Sequence, residues 1–236
     1  MIRCHALLFA IAFATWACAQ FPYTRVIDVR NGQQRPAIEH VVQDEQGLIW
    51  VGSDLGLLRT DGEEVEVMLR TEGNGVNALC VSKRGVIAAL GTGVLVRCTA
   101  LRCDTIWADT ALSTVPVRAL AEDAEGRIWI GTYGSGVWVL GNSGVTKVQG
   151  LPDEHVNDLC VISDGRVVVA TDQGVALCAS GAVTEVFSEA QGAPDNLVLC
   201  VAAAPDGDVW AGTDRSGAFR WKPGSGSASP VILDPN

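Results

Sequence analysis

Glycine sets a period in this chain. Turn glycines stand at positions 47, 85, 126, 165 and 207, at intervals of 38, 41, 39 and 42 residues. Nine residues before each lies a Val or Ile: Ile38, Val76, Val117, Val156 and Val198. A period of about 40 residues is the size of one four-stranded propeller blade. Within each copy an apolar stretch runs into a turn such as Asp164-Gly165 or Asp206-Gly207, dipeptides that supply the positive φ of a tight hairpin. A second apolar stretch follows, as in Arg127-Ile128-Trp129-Ile130-Gly131-Thr132. A second turn at Gly56, Gly93, Gly136, Gly174 or Gly217 then leads to a third stretch and a fourth. Four short strands per copy make one antiparallel sheet. No segment carries sustained helical periodicity with caps. The expected fold is therefore all-β: a β-propeller of about five four-stranded blades, either open or part of a seven-bladed one. Its repeats fall at roughly 23–70, 71–110, 111–150, 151–190 and 191–236.

Trp50, Trp129 and Trp210 recur at one repeat position, and Gly52, Gly131 and Gly212 follow two residues later. A large ring close to a tight turn is suited to cover the gap between adjacent sheets. A residue without a side chain on the same strand lets a neighbouring backbone or ring approach closely.

Residues 1–19 read as an export signal. Arg3 supplies a positive start, Ala6 to Ala14 a short apolar run, and Ala17-Cys18-Ala19 a small-x-small cleavage pattern, leaving 20–236 as the propeller. The run is too short for a membrane span, so a periplasmic or secreted location is expected. With 48% hydrophobic residues the chain can bury a sizeable core. A formal charge of −10 with no Lys/Arg cluster argues against a nucleic-acid partner.

Eight cysteines fit an oxidising compartment. Cys98 and Cys103 flank a four-residue turn; if it closes a hairpin, the two face each other as a disulfide pair. Cys80, Cys160 and Cys200 lie in apolar strands and read as small buried hydrophobes. No C-x-x-C pair is present, neither His40 nor His155 has a His, Cys or carboxylate at metal spacing, and no G-x-S-x-G occurs. The expectation is no catalytic residue, no metal and no cofactor. Gly131-x-x-Gly134-x-Gly136 joins strand to strand and reads as a turn rather than a phosphate loop.

Two rings of equivalent positions are candidates for ligand binding at the axial surface, where loops of several blades converge. Asn77, Arg118 and Asn157 begin the first strand of repeats two to four. Asp54, Tyr133, Asp172 and Asp214 occupy the turn after the Gly–Thr or Gly–Ser pair.

The run of Asp, turn Gly, Trp, Gly and Thr or Ser in Asp44 to Ser53 and Asp123 to Thr132 resembles the two-component regulator propeller repeat. The opening, Tyr23 to Asp28, then Arg30-Asn31-Gly32 and later Leu57 to Gly62, is similar too. That family forms the extracytoplasmic sensor region of hybrid two-component histidine kinases. The resemblance implies a sensing or interaction module, with an unidentified small molecule, glycan or protein as partner. The family's sandwich domain, membrane helix and kinase have no counterpart here, so a partial chain without kinase activity is expected. Two alternatives stand beside it. One is a propeller lyase, since streptogramin-type lyases have similar turns, as in Asp206 to Trp210, with His155 as the sole placed candidate. The other is a non-catalytic assembly scaffold.

Overall fold

A computed structural model describes residues 36–108 and 114–231, together with Val26. The signal-peptide reading of residues 1–19 and most of the resembling opening lie outside the described residues. The described chain is five four-stranded antiparallel sheets in sequence order. The first holds β1 (Ile38–Gln43), β2 (Ile49–Ser53), β3 (Gly56–Thr60) and β4 (Val65–Arg70). The second holds β5 (Val76–Ser82), β6 (Gly85–Leu90), β7 (Val94–Cys98) and β8 (Cys103–Ala108). The third holds β9 (Val117–Glu122), β10 (Ile128–Thr132), β11 (Gly136–Gly141) and β12 (Gly144–Lys147). The fourth holds β13 (Val156–Val161), β14 (Val167–Thr171), β15 (Gly174–Ala179) and β16 (Ala182–Phe187). The fifth holds β17 (Val198–Ala203), β18 (Val209–Thr213), β19 (Ala218–Lys222) and β20 (Ser227–Pro230). One short 3-10 turn, Glu189–Gln191, links the fourth sheet to the fifth. Among the described residues no helix is long and apolar enough to cross a membrane.

The sheets fan as propeller blades. β1, β5, β9, β13 and β17 sit side by side in chain order, and the second strand of each sheet meets the first strand of the next. Apolar side chains meet between sheets, giving four cores for five sheets. Trp50 and Leu57 pack on Leu79, Val86 and Ala88. Ile87 and Ala89 pack on Leu120 and Ile130. Trp129 and Val137 pack on Leu159, Val167 and Val169. Val168 and Phe187 pack on Val209, Phe219 and Trp221, with the Phe187 and Trp221 rings stacked at 5.5 Å. A sheet buried on one face only would leave half its apolar residues in water, so each blade depends on its neighbour.

Two local devices recur. At the first turn, Asp44 Oδ1 accepts from the amides of Gln46 and Leu48 at 3.0 and 2.9 Å, while Oδ2 accepts from Trp50 Nε1 at 2.7 Å. Asp123 repeats this with Glu125, Arg127 and Trp129. At the second turn, the hydroxyls of Ser53, Thr132, Thr171 and Thr213 donate to the carbonyls of Gly56, Gly136, Gly174 and Gly217 at 2.7–2.9 Å. The strand glycines are closely approached, but by aliphatic or thiol side chains rather than by the backbone or ring expected. A Cβ on Gly52 would lie 2.9 Å from Val76 Cγ1, and one on Gly131 2.7 Å from Val156 Cγ1, each on the next sheet. At Gly212 the tight neighbour is instead Cys200 Sγ of its own sheet, at 2.7 Å.

The tryptophans divide. Trp50 and Trp129 are buried between sheets, whereas Trp210 is 41% exposed. No described sheet follows the fifth, and this ring is not packed between described sheets. Cys98 and Cys103 stand directly opposite across β7 and β8, Cα atoms 4.0 Å apart, joined through sulfur. Cys80 is buried as expected, but Cys160 is half-buried and Cys200 exposed.

Candidate functional site

Every first strand carries a bulge at its start. The register jumps between Ile38 and His40, Val76 and Ala78, Val156 and Asp158, and Val198 and Cys200, and the third sheet shows the same offset, with Val117 opposite Thr132 and Ala119 opposite Gly131. The extra residues are Glu39, Asn77, Arg118, Asn157 and Leu199. A bulge leaves one residue unpaired and re-aims its side chain. The first candidate ring, Asn77, Arg118 and Asn157, is thus the set of bulge residues. Sequence reading missed Glu39 and Leu199, because a bulge is a property of pairing between strands.

Three of these bulges open onto one cavity of about 430 Å³ between the first three sheets. Glu39, Asn77 and Arg118 line it, with His40 and Asp54 and the backbone of Gly75. Asp54 is fixed there, its Oδ1 accepting from the Ala37 amide at 2.8 Å. Arg118 is exposed, lies over the Tyr133 ring at 5.4 Å, and has no carboxylate partner among the described residues. A guanidinium held on an aromatic face with its N–H groups uncommitted is ready for an oxygen acceptor.

Tyr133 connects this cavity to a second cluster. It forms a β-bridge with His155, and the two rings meet edge-on at 4.5 Å. Asp153 Oδ1 accepts from both the backbone amide and the ring Nδ1 of His155, each at 2.7 Å. Burial works to raise the Asp153 carboxyl, but these His155 contacts outweigh it and hold it below the usual carboxylate range. Asp172 accepts from Asn157 Nδ2 at 2.8 Å, and the same amide group donates to the Val198 carbonyl at 2.9 Å.

The candidate positions therefore fall into three groups. Asp54, Asn77 and Arg118 share the cavity, with Tyr133 against Arg118. Asn157 and Asp172 join each other beside His155. Asp214 stands apart, paired with Arg215 at 3.1 Å. Sequence reading also missed His40 and Asp158. Asp158, on β13, accepts from the amides of Leu159 and, on the next sheet, Val201, at 2.8 and 2.9 Å. Burial raises its carboxyl, while those amides and the charge of His40 on the first sheet pull the other way.

Burial disfavours the thiolate form of the buried and half-buried thiols. Burial pushes Cys80 up to about 12, with Glu122 adding to it, and does the same for Cys160, beside Asp158, and Cys178. The Asp206-Gly207-Asp208 turn is taken up by Arg220, which pairs with Asp206 and, at 2.7 Å, with Asp208.

Residues 111–134 match the family described as two component regulator propeller. No curated protein matches the chain in sequence. Among solved structures, the chain is similar to the extracellular domain of a hybrid two component system from B. thetaiotaomicron, at 21% identity and TM-score 0.67, over 82% of this chain and 28% of that one. It is similar to a catalytically inactive His-to-Ala variant of virginiamycin B lyase from Staphylococcus aureus with quinupristin, at 14% identity and TM-score 0.73, covering 85% and 71%. It also resembles the WD40 β-propeller domain of Doa1, at 20% identity and TM-score 0.67, covering 83% and 68%. At these identities the likeness shows the fold, and the chain spans little more than a quarter of the two-component domain. Five fanned sheets make this chain a β-propeller, and residues 111–134, which include the first hairpin of the third sheet, are similar to the two component regulator propeller family.

Proposed function

We propose that the chain is a non-catalytic, extracytoplasmic propeller module that senses a polar small molecule or glycan, or docks a protein partner, at its bulged axial end. The observation that carries this is the cavity of about 430 Å³ onto which Asn77 and Arg118 are turned by bulges, with Asp54 and His40 beside them. Donors and acceptors from three sheets converge there, the arrangement that recognises a multiply hydroxylated or carboxylate-bearing ligand. The export reading of residues 1–19 and the Cys98–Cys103 pair support a location outside the cytoplasm.

The test is calorimetric titration of the full chain with neutral sugars, sugar acids and amino acids. A saturable response weakened about tenfold by Arg118→Ala, and unchanged by Asp214→Ala, is the expected result. A response indifferent to both Arg118→Ala and Asn77→Ala overturns the assignment.

The lyase alternative is favoured by one observation, the placement of His155 between Asp153 and Tyr133. Incubation with quinupristin followed by mass spectrometry decides it: a modified product lost in His155→Ala supports a lyase, and unchanged quinupristin removes it.

A further inference from the structure

We propose that Asp153, His155 and Asp172 form a binding site for one divalent transition-metal ion of the zinc type. The three side chains come from two places. Asp153 and His155 lie in the loop before β13, and Asp172 lies in the turn after β14. The Asp172 amide donates to the His155 carbonyl at 3.3 Å, which ties the two segments together. One potential ligand atom from each residue lies within 4.8 Å of the others, and all three residues are half-buried.

The surroundings are organised as metal sites are. His155 Nδ1 faces Asp153 Oδ1 at 2.7 Å, so in the Nε2–H tautomer the Nδ1 lone pair and the carboxylate oxygen are presented to the same ion. The Asn157 amide group fixes Asp172 and is itself fixed by the Val198 carbonyl of the next sheet. The Tyr133 ring forms a wall against the imidazole. Among the described residues neither Asp153 nor Asp172 pairs with a Lys or Arg, although the neighbouring Glu154 does, with Lys147 at 2.7 Å. Two half-buried carboxylates thus lie close to a single imidazole, and a divalent cation would neutralise them.

The donor set selects the ion. Calcium and magnesium take oxygen ligands, whereas an imidazole beside carboxylates suits zinc, cobalt or nickel. Three protein donors leave a coordination position open to water or to an oxygen of a bound molecule. This proposal is independent of ligand binding at Arg118, which has its own readout.

The experiment is calorimetric titration of the chelator-treated full chain with zinc chloride, with calcium chloride for comparison, on the parent and on His155→Ala, Asp172→Asn and Asp214→Asn. Far-UV circular dichroism and melting confirm that each variant is folded. Asp172→Asn keeps the size of the side chain and an oxygen acceptor for Asn157. The expected result is one saturable zinc site, weakened 10–100-fold by His155→Ala and by Asp172→Asn. The site is unaffected by Asp214→Asn and prefers zinc to calcium. A cobalt complex whose visible absorption disappears in His155→Ala gives a second signature. Absence of saturable zinc binding, or binding that persists in both variants and so resides elsewhere, for example at the exposed Cys200, overturns the proposal.

Discussion

The Asp123 carboxylate accepts the indole N–H of Trp129 at 2.7 Å, and through its other oxygen the same carboxylate holds two amides of the turn between β9 and β10. One residue therefore fixes both the hairpin and the ring that closes the gap to the fourth sheet. Asp44 and Trp50 repeat the relationship in the first sheet. In the fifth sheet the equivalent position is Ala204, and its Trp210 stands half out in solvent.

Replacing Asp123 with Ala leaves a buried indole N–H and two turn amides without their acceptor. The expected cost is about 1–3 kcal/mol, seen as a lower urea midpoint. Burial raises the Asp123 carboxyl, but the Trp129 indole and the Arg127 guanidinium and amide outweigh it and hold it below the usual carboxylate range. A carboxyl depressed in the folded state contributes fully above its unfolded value of about 3.9. That contribution is lost as pH falls through the lower folded value. Urea denaturation from pH 7 down through the acid limb should show the loss in the parent, and the loss should be smaller in Asp123→Asn.

Gly131→Ala places a Cβ 2.7 Å from Val156 Cγ1 on the next sheet, inside the contact limit and against a side chain packed in a core. Overpacking of this kind costs about 1–3 kcal/mol. Gly141→Ala is the matched control, because its Cβ would lie 3.7 Å from Arg127 Cγ, an ordinary contact. Thermal melts should separate the two, with the control close to the parent.

Trp129→Ala empties a fully covered position between the third and fourth sheets and should cost about 3–5 kcal/mol. Trp210→Ala removes a ring that is 41% exposed and should cost less than about 1 kcal/mol. Equal losses in urea titrations would show that the fifth sheet has a packing partner in solution.

Cys98 and Cys103 close a loop of six residues between β7 and β8. Chain-entropy reasoning gives the bond about 2 kcal/mol. Cys98→Ser with Cys103→Ser should lower stability by that amount in oxidising buffer. The parent should converge on the double variant when reductant is added, as read by urea midpoints.

Taken alone, the sequence determined the blade. The spacing of Gly47, Gly85, Gly126, Gly165 and Gly207, the residue types between them, and the placing of Cys98 opposite Cys103 are local matters of hairpin geometry and side-chain alternation, written in consecutive residues. It also placed Asn77, Arg118 and Asn157 at one equivalent position. Tertiary structure decided what lies beside what. The bulges that turn those residues depend on register between two strands. The cavity at Asp54, Asn77 and Arg118 depends on three sheets stacked at a common twist. Asp172 reaches His155 only because β13 and β14 return the chain to the same end. Trp129 is buried and Trp210 exposed for the same reason: one residue type on one strand position is covered only where another sheet arrives, and contacts between sheets are set by packing rather than by local sequence.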